Sequence, residues 1–310
     1  MPRLIIDTDT GIDDAVALLM AVAHPQTEIE AITTVMGNIS LAQATHNAGV
    51  MLDIAHAPAI PIYRGCARPL MQHPPINAMD IHGSDGLGGA SAPETQRQPQ
   101  PEHAALAMVR LARENPGQLT LLTLGPLTNV ALAIRLDAGF LANLERLVIM
   151  GGAVEAKGNT TPAAEFNFMA DPEAAATVFL ACRRTDFLPS VISWEVTLSH
   201  GLPMTIWRQL ITGHTPSARF LQQITDFIDR QWPFNNVLWP DPLAAAVAME
   251  PDIVLKQRPH SLVVEAGHNL ARGQSIVDFR RGSEATPNAH VVRQVNLLRF
   301  QELLQTAAQL

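Results

Sequence analysis

The feature that most narrows the fold is an alternation. Short β-branched or leucine-rich runs lead repeatedly into longer Ala- and Leu-rich stretches with helical spacing. LIID (Leu4 to Asp7) runs into DAVALLMAVAH, and IEAITTV runs into SLAQATHNAGVMLDIA. Further on, QLTLLTL precedes PLTNVALAIRL, and LERLVIM precedes DPEAAATVFLA. Strands that are apolar at every position are buried on both faces, and strand-helix-strand order joins them in parallel. The pattern predicts an α/β fold, doubly wound, with a mostly parallel central sheet and helices on both faces. The 310 residues suffice for one large domain or two ordinary ones. We expect a single α/β domain over residues 1–310. From Leu202 to Trp232 the pattern turns helical without intervening strands, which predicts a helical insertion over the site at about 202–240. SLVVEA, SIVDF and AHVVRQV then return to strands before a terminal helix.

Helix starts are signposted at Asp171-Pro172-Glu173, which supplies a capping side chain, a proline at the first helical position and an acid in the first turn. Pro126 is expected to open the helix after the strand ending near Leu124 in the same way. The stretch from Arg68 to Pro101, rich in Pro, Gly, Ser and His, reads as a long functional loop. In open α/β sheets ligands bind beyond the carboxyl ends of the strands. The segments to search are therefore DTDTGIDD, Gly37-Asn38, IHGSDG, LGPLTN and GNTTPAAEFNF.

Composition removes several function classes. The formal charge of −8, with Lys157 and Lys256 as the only lysines, argues against nucleic acid as a partner. No run of about eighteen apolar residues exists to span a membrane, and MPRLIIDTDTG turns acidic too early for a signal peptide. Cys66 and Cys182 form neither a CxxC pair nor a disulfide framework and suit free thiols in a reducing compartment. The expected location is the cytoplasm.

Asp7, Asp9, Asp13 and Asp14 crowd four like charges into eight positions with no lysine or arginine among them. Such carboxylates raise one another's pKa unless something positive lies between them. Zinc spacing of Cys and His is absent, so an oxygen-seeking divalent cation is the simplest resolution, calcium over magnesium if many protein oxygens converge. One of Asp13 or Asp14 could serve only to favour the following helix N-terminus; capping does not explain all four. Two enzyme classes fit Asp-x-Asp-Thr after a strand. A phosphotransferase of the haloacid-dehalogenase type wants a downstream lysine and a later acidic pair, and neither Lys157 nor Lys256 has that setting. The other class hydrolyses an N-glycosidic bond with metal-activated water.

IIDTDTGIDDAVAL resembles the Asp-x-Asp-Pro-Gly-x-Asp-Asp signature of the inosine-uridine preferring nucleoside hydrolases. AITTVMGN, DIHGSDG, LGPLTNVALA, LVIMGGA, GNTTPAAEFNFMADPEAA and WPDPLAAA fall in that family's order along nearly the whole chain. The resemblance implies calcium-dependent hydrolysis of ribonucleosides to free base and ribose. It assigns the calcium to Asp9, Asp14, Asp241 and the main-chain carbonyl of Leu124, with Asp7 supporting from behind. Asp9 becomes the general base toward a water whose pKa the calcium lowers. Asp13, Asn38, Asn159, Glu165 and Asn167 become the grip on ribose, and the protein is expected to be a homodimer or homotetramer.

Two departures from the family pattern, Pro240 and Thr10, bear on chemistry. Pro240 stands where many members carry a histidine that protonates the departing base. A purine-preferring subgroup also lacks that histidine and stacks tryptophan on the base; here Trp194 and Trp239 are the candidates, against a reading of each as core packing. The substitution gives a lean toward purine nucleosides. His82 is a candidate contact to the leaving group, and Phe227, Trp232 and Phe234 are candidates for lining the base pocket. Thr10 replaces the usual proline and can hold the same extended backbone. Alternatives to nucleoside hydrolysis are a hydrolase of another ribosyl compound and a non-catalytic nucleoside- or ribose-binding protein.

Overall fold

The computed structural model describes residues 1–71, 75–232 and 235–310. The chain opens with β1 (Arg3–Thr8), α1 (Ile12–Ala23), β2 (Glu28–Thr34), α2 (Leu41–Ile54) and β3 (Ile62–Arg64). After the short α3 (Met79–His82) come α4 (Ala104–Glu114), β4 (Leu119–Thr123), α5 (Thr128–Leu136) and β5 (Leu144–Met150). Next are α6 (Phe166–Ala170), α7 (Pro172–Thr185), β6 (Ser190–Ile192) and α8 (Trp194–Ser199). Then β7 (Leu202–Pro203), α9 (Met204–Leu210), α10 (Pro216–Gln231), β8 (Asn236–Val237) and α11 (Pro240–Met249) follow. The chain closes with β9 (Val254–His260), β10 (Leu262–Val264), β11 (Ser275–Val277), β12 (Ala289–Val295) and α12 (Leu297–Thr306).

The main sheet has eight strands in the order β3-β2-β1-β4-β5-β6-β12-β9. All neighbours are parallel except β12 and β9. Successive side chains of a strand point to opposite faces, and the core divides accordingly. Leu4, Ile6, Leu122, Leu124, Val148 and Met150 join the apolar layer under α1, α2, α11 and α12. Ile5, Leu121, Leu147 and Ile149 join the layer under α4, α5 and α7. This is the α/β architecture expected from the apolar runs.

Asp171 caps α7 by accepting from the Ala174 N–H at 3.0 Å, with Pro172 at the first turn. Helix α5 begins at Thr128, two residues after Pro126, with Leu127 at its cap. The span from Leu202 onward is not purely helical. Strands β7 and β8 pair antiparallel on either side of α9 and α10, but two residues are too few to leave a periodic signal. The antiparallel edge strand β9 also escaped the pattern. Its middle is exposed and carries Lys256, Arg258 and Pro259, which suit a solvent edge and discourage pairing with another chain. Within 68–101 the structure describes α3, and Gln100 bridges to Tyr63 beside β3. Among the described residues, no helix is long and apolar enough to cross a membrane. Cys66 and Cys182 are free, and burial pushes both thiols up to about 12.

Candidate active site

The site begins where β1 ends. Asp7 is the penultimate residue of the strand, Asp9 follows it, and Asp13 and Asp14 occupy the first turn of α1. Asp14 is held by three donors: the Thr8 hydroxyl at 2.5 Å, the Gly11 N–H at 2.8 Å and the Asn38 side-chain amide at 3.1 Å. Asp9 Oδ2 accepts from the Asn38 N–H at 2.6 Å, while its Oδ1 is buried without a partner. Two glycines pack against that carboxylate where a side chain would crowd it. A Cβ on Gly37 would lie 1.9 Å from Asp9 Oδ2, and one on Gly125 would lie 2.9 Å from Oδ1. Asp241 arrives from the first turn of α11. Carboxylate oxygens of Asp13, Asp14 and Asp241 all lie within 4.8 Å of one another.

Burial is the main force on these acids. It lifts Asp7 to about 7 and Asp13 to about 6. Asp9, Asp14 and Asp241 are raised by burial first and by their neighbours' negative charge second. Such a cluster is costly unless protons or a cation neutralise it. The donor set fits a hard divalent cation: it consists of oxygens, and Asp9 Oδ1 and Asp13 Oδ1 are buried acceptors with no donor. The ion-sized grouping is Asp13, Asp14 and Asp241, and Asp9 borders it closely enough for its charge to act on Asp241. The Leu124 carbonyl accepts from the Asn167 side chain at 2.6 Å; a carbonyl oxygen has a second lone pair. Asp7 stands behind the cluster, its Oδ1 taken by Thr33 at 2.7 Å and Asn129 at 2.8 Å.

The residues matched to ribose binding are Asp13 in the first turn of α1 and a further set after β2 and β5. Asn38 follows β2 and touches both Asp9 and Asp14. Asn159 and Glu165 belong to the segment between β5 and α6, and Asn167 to the first turn of α6. Glu165 is buried, caps α6 through the N–H groups of Asn167 (2.9 Å) and Phe168 (3.2 Å), and also accepts from Gly152 at 2.8 Å. Burial lifts it to about 7. Asn167 is buried and spans from Leu124 to Met150. Asn159 is exposed, and its side-chain oxygen accepts from the Phe166 N–H at 2.9 Å.

His82, the last residue of α3, is folded onto the cluster. Its Nδ1 accepts from the Ile12 N–H at 3.0 Å and lies 3.7 Å from Asp13 Oδ1. An acceptor Nδ1 puts the ring proton on Nε2. Burial holds this imidazole down at about 4, so it is neutral. Trp239 is not a free aromatic face. It is 3% exposed, and its ring centroid lies 4.6 Å from that of Trp207 in the core. Trp194 begins α8 and is half-buried against the same layer. Phe227 and Trp232 meet edge to face at 6.2 Å, and Phe234 lies outside the described residues. Sequence reading did not single out Thr8, Thr33 or Asn129, which orient the acids. Asn129 was reachable, since it closes the flagged LGPLTN turn. Two surface hollows of about 440 and 490 Å³ include Arg64 and His103, and Asp53 and Arg97, respectively, but no residue of the cluster.

Comparison with known proteins gives the same direction. The family model for inosine-uridine preferring nucleoside hydrolases matches residues 4–302. A probable uridine nucleosidase 1 of Oryza sativa subsp. japonica is 37% identical over 255 residues, covering 81% of this chain and 77% of that protein. The inosine-uridine preferring nucleoside hydrolase of Leishmania major is 35% identical over 294 residues, covering 90% and 89%. Among solved structures, an inosine-guanosine nucleoside hydrolase superposes with a TM-score of 0.92 at 31% identity, covering 99% of this chain and 98% of that one. This fold and its aspartate cluster support hydrolysis of the glycosidic bond of nucleosides. The chain belongs to the inosine-uridine preferring nucleoside hydrolase family.

Proposed function

We propose that the protein is a calcium-dependent ribonucleoside hydrolase that releases free base and ribose. One observation carries this reading: buried carboxylates converge behind β1 with acceptor oxygens that no protein donor meets. Asp9, Asp14 and Asp241 would hold the cation together with the Leu124 carbonyl, and the grouping of Asp13 with Asp14 and Asp241 brings a further oxygen within reach. When bound, the cation supplies positive charge that lowers the pKa of a coordinated water and lets the acids ionise together.

The chain's own residues do the rest. Asp9 is fixed through one oxygen by Asn38, which leaves Oδ1 to take a proton from the attacking water. The water oxygen bonds to the anomeric carbon while the bond to the base breaks, its electron pair leaving with the base. Asp13, Asn38, Asn159, Glu165 and Asn167 hold the sugar so that this carbon faces the water, and orientation of this kind supplies a large share of rate. Glu165 and Asn167 suit that task because backbone groups already lock their rotamers.

Activation of the base falls to groups other than residue 240, since Pro240 has no proton to give. Neutral His82 contributes a hydrogen-bond donor at Nε2 and not a charged acid. The purine lean now rests less on stacking, because Trp239 faces Trp207. The similar proteins also differ in the bases their names carry: uridine in one, inosine and guanosine in another. We assign the protein to the cytoplasm as a homodimer or homotetramer.

The test is a panel of inosine, guanosine, uridine, cytidine and a nicotinamide-type riboside, with release of reducing sugar measured with and without chelator. Hydrolysis of an ordinary ribonucleoside that chelator abolishes and calcium restores is the expected result. Turnover of the nicotinamide-type riboside alone would replace the substrate class. Nucleoside binding without product after prolonged incubation would overturn the enzymatic reading.

A further inference from the structure

Between β5 and α6 the backbone leaves the sheet and turns sharply, and its N–H groups find their partners one by one. Gly151 donates to the Ile192 carbonyl at 3.0 Å, Gly152 to Glu165 at 2.8 Å, and Ala153 to the Ser275 hydroxyl at 3.0 Å. Ala156 donates back to the Ala153 carbonyl at 3.2 Å, and three others of this turn meet a single side chain. Val154 donates to Glu195 Oε2 at 3.0 Å, while Glu155 and Lys157 donate to Oε1 at 2.7 and 3.4 Å. Glu195 stands in the first turn of α8 and is 9% exposed. The same helix is tied down where the Trp194 N–H donates to the Gly152 carbonyl at 2.9 Å. Inside the clasp Ala156 has φ +58°, a left-handed conformation that a side-chain-bearing residue adopts only when its surroundings enforce it.

We infer that Glu195 is a positioning residue for the sugar: its carboxylate gathers the Val154–Lys157 turn and thereby sets Asn159, two residues beyond. The inference rests on the assignment of Asn159 to ribose. Three converging N–H donors call for an acceptor-only group with two oxygens. Glutamine offers one oxygen and turns an amide donor toward an N–H. Beyond Lys157 the chain closes on itself, with Gly158 donating to the Pro162 carbonyl at 3.1 Å and Asn159 to the Ala164 carbonyl at 3.2 Å. Asn159 is thus set from two sides, by the clasp before it and by the Phe166 N–H from which its side-chain oxygen accepts at 2.9 Å, and the clasp fixes where the closed loop enters.

Glu195→Gln should raise KM for the best nucleoside about tenfold, the loss of roughly one hydrogen-bonded contact, with little change in kcat. Asn159→Ala should raise KM on its own, and the double variant should add little to it, because the clasp acts through Asn159. Ala156→Gly in the Glu195→Gln background should recover part of the KM, since glycine holds a positive φ without strain. Amide hydrogen exchange at Val154, Glu155 and Lys157 should quicken in Glu195→Gln while the β-sheet stays protected. Unchanged exchange at those three amides, or KM effects that add fully in the double variant, would overturn the assignment. If the wild-type protein hydrolyses no nucleoside, the functional reading fails, and exchange still decides whether Glu195 holds the turn.

Discussion

Removing the cation should destabilise this protein in a pH-dependent way. Asp7 and Glu165 are lifted to about 7 and Asp13 to about 6 by burial, from ordinary values of 3.8 for aspartate and 4.5 for glutamate. A group whose folded pKa is raised contributes stability that is complete below its unfolded value and lost as pH climbs through the folded one. The ion-free protein should therefore weaken steadily between about pH 4 and 7. Calcium reverses this only where the acids have lost their protons. At a hundredfold excess over its Kd, a ligand of the folded state adds about 2.7 kcal/mol. With an unfolding entropy of about 2.1 cal/mol/K per residue over this length, that raises Tm by about 4 °C. Differential scanning calorimetry of chelator-treated protein, with and without calcium, should show this rise at pH 7.5 and little of it at pH 5. An equal rise at both values would mean that the ion binds somewhere other than these acids, and no rise would mean that they do not hold it.

Substitutions at four positions probe separate parts of the site and fold. Asp9→Asn should lower kcat by about 10²- to 10⁴-fold, the usual loss for a general base, while the thermal stability of chelator-treated protein holds or improves because one buried charge is gone; unchanged kcat would remove Asp9 as the base. Gly37→Ala drives a methyl group into Asp9 Oδ2, so activity should fall by about 10²-fold through misplacement alone, which initial-rate assays at saturating nucleoside would read. Trp239→Ala should cost about 3–5 kcal/mol in denaturant unfolding, as a large core deletion does, and Trp239→Phe should leave the inosine-to-uridine ratio of kcat/KM unchanged; a shifted ratio would return Trp239 to the base pocket. Glu250 is held down at about 2 chiefly by Arg299, with His24 assisting. Glu250→Gln should cost about 1 kcal/mol near pH 7 after solvent screening, and the deficit should close as pH falls from about 5 toward 2, measured by urea titration.

Much of the architecture was legible because the central strands are apolar at every position and the helices between them carry clear starts. What escaped was local and physical in cause. Strand β9 is half solvent-facing and charged, and β7 with β8 has only two residues a side. The acids of the site were visible as a crowd that needed neutralising, but their grouping was not. Asp13 joins Asp14 and Asp241 because α1 and α11 pack side by side under the same apolar layer. Thr33 reaches Asp7 only because the parallel register of β1 and β2 sets the two residues opposite each other. Such pairings depend on register between distant segments and leave no mark on local spacing. Trp239 shows the reverse case. Its place two residues before Asp241 suggested chemistry, while the neighbour that decides its role, Trp207, lies on a different helix.

A crystal structure grown in millimolar calcium tests the cation site most directly. The expected result is a single strong density peak bounded by the carboxylates of Asp9, Asp14 and Asp241 and by the Leu124 carbonyl, at oxygen distances of about 2.3–2.6 Å. Carboxylates turned apart around ordinary solvent at that concentration would contradict it.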